Sequence, residues 1–475
     1  MTATGFHVEK LLAPKSIALV GVSGDAGRAT YTGTTAVLSN LIKFGYPGEV
    51  FPINPKYDSI MGLASYASIE ALPKTPDLLV VGVASAQVLP ILEDAAKKGI
   101  GACIVISSGF GESENDEGKL LQERMVCLSQ ESGMRILGPN CLGIVNVYGN
   151  TTAISMNALS AGPVLPGQVA IISQSGALES TWLIRARDKG FGYSYVISSG
   201  NNADLELADF IYYLMEDPHT KVIAAYVEGI RDLEKFQDAA CLCWKKGIPL
   251  VIYKSGRSPK GAQAAQAHTG SVPASNSILD ALFEKCHVLS VNSLDQFLDI
   301  PQALSQTKKN VNGLGIGVLS ISGGAASVVA DVVEYLLPGE KIPDFAPDTV
   351  AALKELLPDF ATVQNPLDTT AAIMRVPADL VKVARVIEAD PNIDAIVVPL
   401  TVTDHAFETT VAEEFCKFHQ TCRKPLIISW FSGSLNQEGM IKMRQCGVPC
   451  FDSPEGSLQY YKILKQLARW ERVNP

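Results

Sequence analysis

The feature that most constrains the fold is an alternation of short apolar strands with helical stretches along almost the whole chain. In the first third, SIALVGV (16–22) and DLLVVGV (77–83) are followed by helix-like stretches such as residues 84–99 and 115–133. Strands that alternate with helices build βαβ units and a parallel sheet. Further strands are predicted at 50–54, 102–107, 134–138, 168–174, 193–200, 221–229, 249–256, 314–322, 393–401, 424–430 and 448–453. The sequence therefore predicts an α/β protein with doubly wound parallel sheets.

Length and composition divide this pattern into domains. A chain of 475 residues is long enough for about three domains. A stretch rich in Pro, Gly and small residues (150–168) and a polar stretch (307–313) are the predicted boundaries. We expect domains at 1–150, 151–308 and 309–475.

Charge and hydropathy exclude several function classes. Lys and Arg number 39 against 49 Asp and Glu, a net charge of −10, which argues against nucleic-acid binding through a basic surface. The uncharged stretch 313–330 has a Gly/Ser turn at its centre, so a strand, a turn and a helix are predicted there instead of a membrane span. The first residues lack the apolar core of a secretory signal. A cytoplasmic protein with no membrane partner is expected.

The ten cysteines are interpreted as reduced, structural thiols. A chain of this length needs no disulfide framework. The pairs Cys241/Cys243 and Cys446/Cys450 lack a second matching pair and nearby histidines, so no metal site is expected.

The first motif with a chemical meaning follows the first strand, in VGVSGDAGRATYTG (20–33). Gly21, Ser23 and Gly24 let the backbone approach a ligand, and the next helix offers free N–H groups to a phosphate. The motif is not a full G-x-G-x-x-G, and the acidic ribose partner is missing. Lys56 follows the second strand instead, which favours a phosphorylated nucleotide such as CoA or NADP. A generic strand–turn–helix with a surface lysine is the alternative.

Two more loops are expected on the same edge of the sheet, because ligands bind beyond the carboxyl ends of strands. They are ISSGFGES (106–113) and LGPNCLGI (137–144), in which Pro139 and two glycines fix a turn that presents Asn140 and Cys141. An ordinary turn is the alternative for the second loop.

The motif IISQSGALES (171–180) predicts an anion site. Ser173, Gln174, Ser175 and Gly176 come between a buried strand and a helix, where hydroxyls and amides bind anions. A nucleophile elbow would need Gly at position 173. The motif is therefore interpreted as a phosphate cradle.

His268 is the predicted nucleophile. It lies in a stretch of Gly, Ala, Gln and Ser that is too small and polar for a core segment, followed by Thr269 and Gly270. Imidazole attacks phosphorus readily, and a carboxylate would hold the ring in the right tautomer. Glu228, at the end of a strand, is the candidate carboxylate, and a surface acid is the alternative. In the last third, two further motifs are SISGGAAS (320–327) and ATVQNPLDTT (361–370), and the latter is a candidate turn at an interface or a phosphate pocket.

Together these motifs resemble the NDP-forming acyl-CoA synthetases, the acetate–CoA ligase (ADP-forming) branch of the succinyl-CoA synthetase superfamily. The similarity runs in order over nearly the whole chain. The matching motifs are VGVSGDAGR, INPKYDSIMG, GPNCLGI, SQSGAL, VISSGNNAD, YVEGI, KSGRSPKGAQAAQAHTGS and FATVQNPLDTT. The resemblance implies an N-terminal Rossmann-like CoA-binding domain followed by two flavodoxin-like ligase domains.

The resemblance also implies roles for single residues. His268 would be phosphorylated and Glu228 would orient it, and the reaction would pass through an acyl phosphate that CoA attacks. The residues implied in CoA binding are Gly21, Ser23, Gly24, Arg28, Lys56, Ser107, Asn140 and Cys141. The residues implied around the phosphoryl group are Ser173, Gln174, Ser175, Gly176, Ala177, Thr269 and Gly270.

The family's nucleotide-handling ATP-grasp domain has no counterpart among the three predicted domains. We therefore expect an alpha-type subunit that binds CoA and a small carboxylic acid, with ATP/ADP and Mg²⁺ on a separate ATP-grasp beta-type subunit. The expected assembly is a hetero-oligomer that also self-associates. Two alternatives stay open, a subunit that transfers an acyl or carbamoyl group without CoA activation and a non-catalytic CoA- or nucleotide-binding module.

Overall fold

The fold is that of a computed structural model, which describes residues 3–24, 33–113, 115–269, 275–306, 311, 313, 315–359, 361–370, 373 and 375–473. Two compact units are formed. The first comprises Met1–Arg187 and Gly192–Asn292, and the second comprises Asp188–Phe191 and Ser293–Pro475. The finer limits at 150 and 308 stay a prediction.

The first sheet of unit 1 has five parallel strands in the order β2-β1-β5-β6-β7. Its strands are β1 (Ser16–Val20), β2 (Glu49–Ile53), β5 (Leu78–Val81), β6 (Ala102–Val105) and β7 (Arg135–Leu137). The helices are α1 (Ala3–Leu12), α2 (Thr34–Lys43), α3 (Ser85–Lys97) and α4 (Asp116–Ser132), and β3 (Ser59–Ile60) pairs with β4 (Leu63–Ala64). The strand order reverses beside β1, and such a switch point is where open α/β sheets bind ligands.

Helix α4 shows how the sequence sets an element's ends. The Asn115 side chain accepts a hydrogen bond from the Gly118 backbone N–H at 2.8 Å, which caps the first turn. Gly133 ends the helix in the left-handed conformation, with φ of 73°. The predicted helix over 115–133 is confirmed.

The second sheet of unit 1 has seven strands in the order β14-β13-β12-β10-β11-β8-β9. Five are parallel: β10 (Pro166–Ser173), β11 (Tyr193–Ser198), β12 (Val222–Val227), β13 (Leu250–Lys254) and β14 (Leu289–Val291). The antiparallel hairpin of β8 (Gly143–Asn146) and β9 (Thr151–Ile154) extends it beyond β11. The helices are α5 (Gly176–Asp188), α6 (Leu207–Leu214), α7 (Leu233–Lys245), α8 (Pro259–Thr269) and α9 (Asn276–Lys285), and Asn157–Ala161 is a 3₁₀ helix. The hairpin was not predicted, because both strands are short and the second lies in the Gly- and Pro-rich stretch.

Unit 2 has one five-stranded parallel sheet in the order β16-β15-β17-β18-β19. Its strands are β15 (Ile316–Ser320), β16 (Leu367–Asp368), β17 (Ala395–Leu400), β18 (Leu426–Trp430) and β19 (Cys450–Phe451). The helices are α10 (Leu294–Gln306), α11 (Gly323–Leu336), α12 (Pro347–Leu356), α13 (Ala378–Ala389), α14 (His405–Thr421), α15 (Gln437–Gln445) and α16 (Pro454–Val473), and Gly433–Asn436 is a 3₁₀ helix. The predicted α/β class with parallel sheets is confirmed.

The uncharged stretch 313–330 contains strand β15, a turn and the first half of helix α11. Within the described ranges, no helix combines the length and the apolar character that crossing a membrane requires.

Candidate functional site

The loop after β1 is closely packed at its glycines. Gly21 has φ of 95°, and a Cβ on it would lie 2.3 Å from the Gly82 carbonyl oxygen. A Cβ on Gly24 would lie 2.8 Å from the Tyr57 ring. The Ser23 backbone N–H donates to Thr35 Oγ1 at 3.0 Å. The loop therefore requires glycine for steric reasons.

The loop after β2 is tied to the loop after β1. Asn54 Nδ2 donates to the Val22 carbonyl oxygen at 2.7 Å, and Asn54 Oδ1 accepts from the Lys56 backbone N–H at 3.0 Å. Lys56 is exposed. Asn54 thus ties the backbone at Lys56 to the loop after β1, and the role of Lys56 as a phosphate-binding cation stays a prediction. Arg28 lies outside the described residues.

Ser107 and Asn140 meet at the ends of β6 and β7. The Ser107 hydroxyl donates to the Val83 carbonyl at 2.6 Å and accepts from the Val83 N–H at 3.1 Å. The Asn140 N–H donates to the Ser107 carbonyl at 2.9 Å, and Asn140 has φ of 57°. Three predicted CoA-side loops thus lie at one edge of the first sheet.

Cys141 is placed differently from its neighbours. Its side chain is buried in the core of unit 1, with Sγ 3.3 Å from the Val105 carbonyl oxygen. Burial raises the pKa of its thiol to about 12. The thiol is therefore neutral at pH 7 and packs beneath the Asn140 turn instead of projecting from it.

The predicted phosphate cradle is a hydrogen-bonded turn at the start of α5. Ser173 Oγ accepts from the Ser175 backbone N–H at 3.0 Å and donates to the Ser175 carbonyl at 2.9 Å. A Cβ on Gly176 would lie 2.8 Å from the Leu142 side chain, and Ala177 is exposed. The helix N-terminus and its positive dipole end are thus held at the carboxyl edge of the second sheet.

Gln174 joins this cradle to the candidate carboxylate. Its Oε1 accepts from the backbone N–H groups of Glu228 and of Gly229, the latter at 3.0 Å, and its Nε2 donates to the Gly229 carbonyl at 2.9 Å. The Glu228 side chain is buried. The structure therefore places Glu228 beside the cradle.

Lys254 is a second buried charge near Glu228. It pairs with Val227 in the register between β12 and β13 and is 4% exposed. Burial, with a smaller effect from Arg257, lowers the pKa of its ammonium group, and the charge of Glu228 acts in the opposite direction. A cation thus lies close to the candidate phosphoryl site.

His268 and Thr269 lie in helix α8, and their side chains lie outside the described part of the structure, as does Gly270. Their roles stay predictions.

A polar network links the CoA-side loops to the second sheet. Glu112 accepts from the backbone N–H groups of Gly109 at 2.6 Å and Phe110 at 3.2 Å, and from Asn201 Nδ2 at 2.5 Å. Asn201 Oδ1 accepts from Asn140 Nδ2 at 3.2 Å. Burial raises the pKa of the Glu112 carboxyl, but the hydrogen bonds outweigh that effect and the net shift is downward. Glu112 is therefore an ionised anchor between the two sheets of unit 1.

A cavity of about 340 Å³ lies between these elements. Gly111 of the CoA side, Gln174 of the cradle, Asn201 and Gly229 are among its lining residues. The site is thus a concave space with Gln174 of the cradle on one side and Gly111 of the loop after β6 on the other.

Comparisons with known proteins identify the family. Residues 15–147 match the model of a CoA binding domain, and residues 166–304 match that of a succinyl-CoA ligase like flavodoxin domain. The acetate–CoA ligase [ADP-forming] II subunit alpha of Pyrococcus furiosus is 32% identical over 93% of this chain and 94% of its own length. This chain belongs to the ADP-forming acyl-CoA synthetase family.

Two further comparisons place this synthetase in the same family. The acetate–CoA ligase [ADP-forming] I of Archaeoglobus fulgidus is 31% identical over 97% of this chain, which spans 64% of that protein. The structure of the dinucleotide forming acetyl-coenzyme A synthetase 1 of Ca. Korarchaeum cryptofilum, in complex with phosphate and ADP, superposes with a TM-score of 0.84 at 30% identity and 97% coverage of both chains. The predicted enzyme class, an acid–thiol ligase, is confirmed.

One residue of this synthetase that was not predicted is Glu179, on the first turn of α5. It is fully buried, and neither carboxyl oxygen has a hydrogen-bond partner among the described residues. Burial raises the pKa of Glu179 well above its usual range, and the neighbouring Ser198 hydroxyl offsets only part of that shift. Burial therefore favours the neutral form of this carboxyl.

Glu112, Asn201 and Lys254 were not predicted either. Each of them lies inside a motif named in the sequence analysis. The interpretation of that motif rested on other residues. Asn201 and Lys254 could have been found as polar residues within three positions of a strand's carboxyl end, whereas Glu112 lies further along the loop after β6. Among the described residues, no group of three His, Cys, Asp or Glu could hold a metal ion.

Proposed function

We propose that the chain is the alpha-type subunit of an ADP-forming acyl-CoA synthetase, joining a carboxylic acid to CoA through acyl phosphate and phosphohistidine. The observation that carries the proposal is one cavity that Gly111 of the loop after β6 and Gln174 of the cradle both line, with Gln174 hydrogen-bonded to Gly229 beside Glu228 and Asn201 hydrogen-bonded to Glu112. Thioester formation requires acid, phosphate and thiol in one place, because positioning removes most of the entropic cost of their reaction.

The proposed chemistry runs in two steps on this chain. A carboxylate oxygen of the acid attacks the phosphorus of phosphorylated His268, and the P–N bond breaks as imidazole leaves. The thiolate of CoA then attacks the carbonyl carbon of the acyl phosphate, and the C–O bond breaks as phosphate leaves. The cradle residues Ser173–Ala177, with Thr269 and Gly270, stabilise the phosphoryl charge at the helix N-terminus. Glu228 orients the imidazole.

CoA is proposed to bind along the carboxyl edge of the first sheet. The contacts proposed are those of Gly21, Ser23, Gly24, Arg28, Lys56, Ser107 and Asn140. The exposed Lys56 beside the β1 loop supports a phosphorylated nucleotide. Cys141 is proposed to support the Asn140 turn from beneath, because its thiol is buried.

ATP/ADP and Mg²⁺ are proposed to bind an ATP-grasp beta-type subunit. One relative is named a subunit alpha, and the longer Archaeoglobus relative extends well beyond the matched part. The small carboxylic acid and CoA are then the ligands of this chain, and phosphoryl groups pass between the subunits.

The test is partner dependence. The purified chain alone is expected to form no acyl-CoA from ATP, acid and CoA, and addition of an ATP-grasp subunit of this family is expected to start the reaction. The His268→Ala chain with the same partner is the control and should stay inactive. Full activity of the chain alone, or of the variant, would contradict the proposal.

A further inference from the structure

Two cysteines of unit 1 lie in direct contact with each other. Cys241 Sγ lies 2.7 Å from Cys286 Sγ, and both residues carry free thiols. They are 45 positions apart in the sequence, so only the fold brings them together. A disulfide bond measures about 2.0 Å, and the two sulfur atoms therefore need to approach each other by less than about 1 Å to form one.

The two elements that carry these cysteines are packed against each other. Cys241 lies on α7, and Cys286 is the residue that follows α9. Gln237 lies one turn before Cys241 on the same face of α7, and its carbonyl oxygen is 3.6 Å from Cys286 Sγ. Beside it, the buried rings of Phe236 and Phe283 pack edge to face, with their centroids 6.0 Å apart. The core thus holds the two helices together at the point where the sulfur atoms meet.

The two thiols differ in their exposure to solvent. Cys241 is half-buried, whereas the side chain of Cys286 is buried and 1% exposed. Burial and the adjoining Cys241 thiol raise the pKa of the Cys286 thiol to about 12. Oxidation of a cysteine depends on solvent access and on the fraction of thiolate. An oxidant therefore reaches Cys241 first, and Cys286 lies behind it as the thiol that can react with the oxidised sulfur.

We propose that Cys241 and Cys286 form a reversible disulfide when the chain meets hydrogen peroxide. The Cys241 thiolate attacks one peroxide oxygen, the O–O bond breaks, and the hydroxide that leaves takes up a proton. Cys241 is then a sulfenic acid. The Cys286 sulfur attacks the Cys241 sulfur, the S–O bond breaks, and the leaving hydroxide takes up the proton of the Cys286 thiol. Two electrons thus pass from the two thiols to the peroxide, which ends as two molecules of water.

The disulfide closes a loop of the chain that contains the proposed nucleophile. Between the two cysteines the chain runs through β13, α8 and α9, and so includes Lys254 and His268. A cross-link over a loop of this length stabilises the folded chain, because it restricts the unfolded chain. It also keeps the Cys241 sulfur from sulfinic acid, an oxidation state that thiols do not reverse. The pair is thus a modification site that protects the part of unit 1 carrying His268 against oxidants.

The test is peptide mapping after mild oxidation. The full chain is treated with hydrogen peroxide, its remaining thiols are alkylated, and it is digested without reduction. We expect a cross-linked pair of peptides that contains Cys241 and Cys286, with the mass of the two peptides less two hydrogen atoms. The midpoint of thermal unfolding should rise by about 3–10 °C on oxidation. Dithiothreitol should return both the two thiols and the midpoint of the untreated chain.

Three variants assign the steps. Cys241→Ser should lose both the cross-linked peptides and the rise in the midpoint. Cys286→Ala should lose them as well, but its Cys241 sulfenic acid should react with dimedone, which a cysteine with a packing role alone would not do. Cys127→Ser removes an exposed thiol of the same unit. It is the matched control and should cross-link like the wild type, whose mapping also needs no variant to fold.

Three results would overturn the proposal. The first is oxidation of the exposed thiols of Cys127 and Cys446 while both Cys241 and Cys286 are still alkylated. The second is a Cys241 sulfinic acid beside an alkylated Cys286, because the two sulfur atoms would then not meet. The third is a Cys241–Cys286 cross-link with no rise in the midpoint, which would remove the protective role. None of these results depends on the proposed acyl-CoA chemistry, which partner dependence tests separately.

Discussion

Two turns with the same local design occur in the two units. In unit 1, Ser173 Oγ accepts from the Ser175 N–H at 3.0 Å and donates to the Ser175 carbonyl at 2.9 Å. In unit 2, Ser320 Oγ accepts from the Ser322 N–H at 3.1 Å and donates to the Ser322 carbonyl at 2.9 Å. Each turn follows a buried strand and precedes a helix that begins with glycine. The same Ser-x-Ser pattern therefore gives the same backbone.

The surroundings of the two turns differ. The middle residue is Gln174 in unit 1, which reaches the Glu228 loop, and Ile321 in unit 2, which is buried in the core. At the second turn, a Cβ on Gly323 would lie 3.0 Å from Asp368 Oδ2. The second helix N-terminus thus has a carboxylate of its own, whereas the first lies beside a cavity. The turn fixes the backbone, and the neighbouring residues decide what lies at the N-terminus of the helix.

The largest difference in the effect of a substitution is expected at the middle residues of the two turns, Gln174 and Ile321. Gln174→Ala removes the hydrogen bonds that Gln174 Oε1 accepts from the backbone N–H groups of Glu228 and Gly229. Label transfer from a CoA thioester and labelled phosphate to His268, the reverse of the two proposed steps, should therefore fall about 10- to 100-fold. Ile321→Val is the matched control, with a stability loss of about 0.5–1.5 kcal/mol and no loss of transfer beyond it. If the Gln174→Ala chain transferred label at the wild-type rate, the proposed difference between the two turns would be wrong.

The first serines of the two turns form the next pair. Ser173→Ala and Ser320→Ala should each lower the free energy of unfolding by about 1–3 kcal/mol, because each leaves a backbone N–H unsatisfied. Urea unfolding measures both. Label transfer should fall further with Ser173→Ala than with Ser320→Ala, since of the two turns the first lies beside the cavity. Equal losses of label transfer in the two variants would contradict the difference between the turns.

The residue three positions after the first residue of each helix predicts a difference in how stability depends on pH. It is Glu179 in α5 and the buried Ala326 in α11. Because burial raises the pKa of Glu179 in the folded chain above the value of about 4.3 expected in the unfolded chain, the wild type loses stability as pH rises towards the raised pKa. Glu179→Gln lacks this loss. Its advantage in urea unfolding should grow from pH 5 to pH 8, and parallel profiles would show that the carboxyl is ionised.

The smallest effect is expected at the cap of α11. Ser322 Oγ accepts from the Ala325 backbone N–H at 3.5 Å, a long hydrogen bond. Ser322→Ala should therefore cost about 0.5 kcal/mol, the low end for helix caps, in thermal or urea unfolding. A cost above about 2 kcal/mol would mean that Ser322 does more than cap the helix.

Much of the fold followed from sequence because parallel strands are buried on both faces and read as continuous apolar runs. The hairpin of β8 and β9 was missed because its pairing to β11 depends on residues far apart in sequence. The cradle was predicted because its glycine and serines are local. Asn201 and Glu112 were not, since their partners come from other strands and only the fold brings them together.

The measurement that tests the central claim most directly is the position of the label. The purified chain is incubated with labelled phosphate and either acetyl-CoA or succinyl-CoA, digested, and the labelled peptide is mapped. The account predicts one acid-labile, base-stable label on the peptide that contains His268, lost in His268→Ala and reduced in Glu228→Gln. A label of equal yield in His268→Ala, or on a peptide without His268, would contradict it.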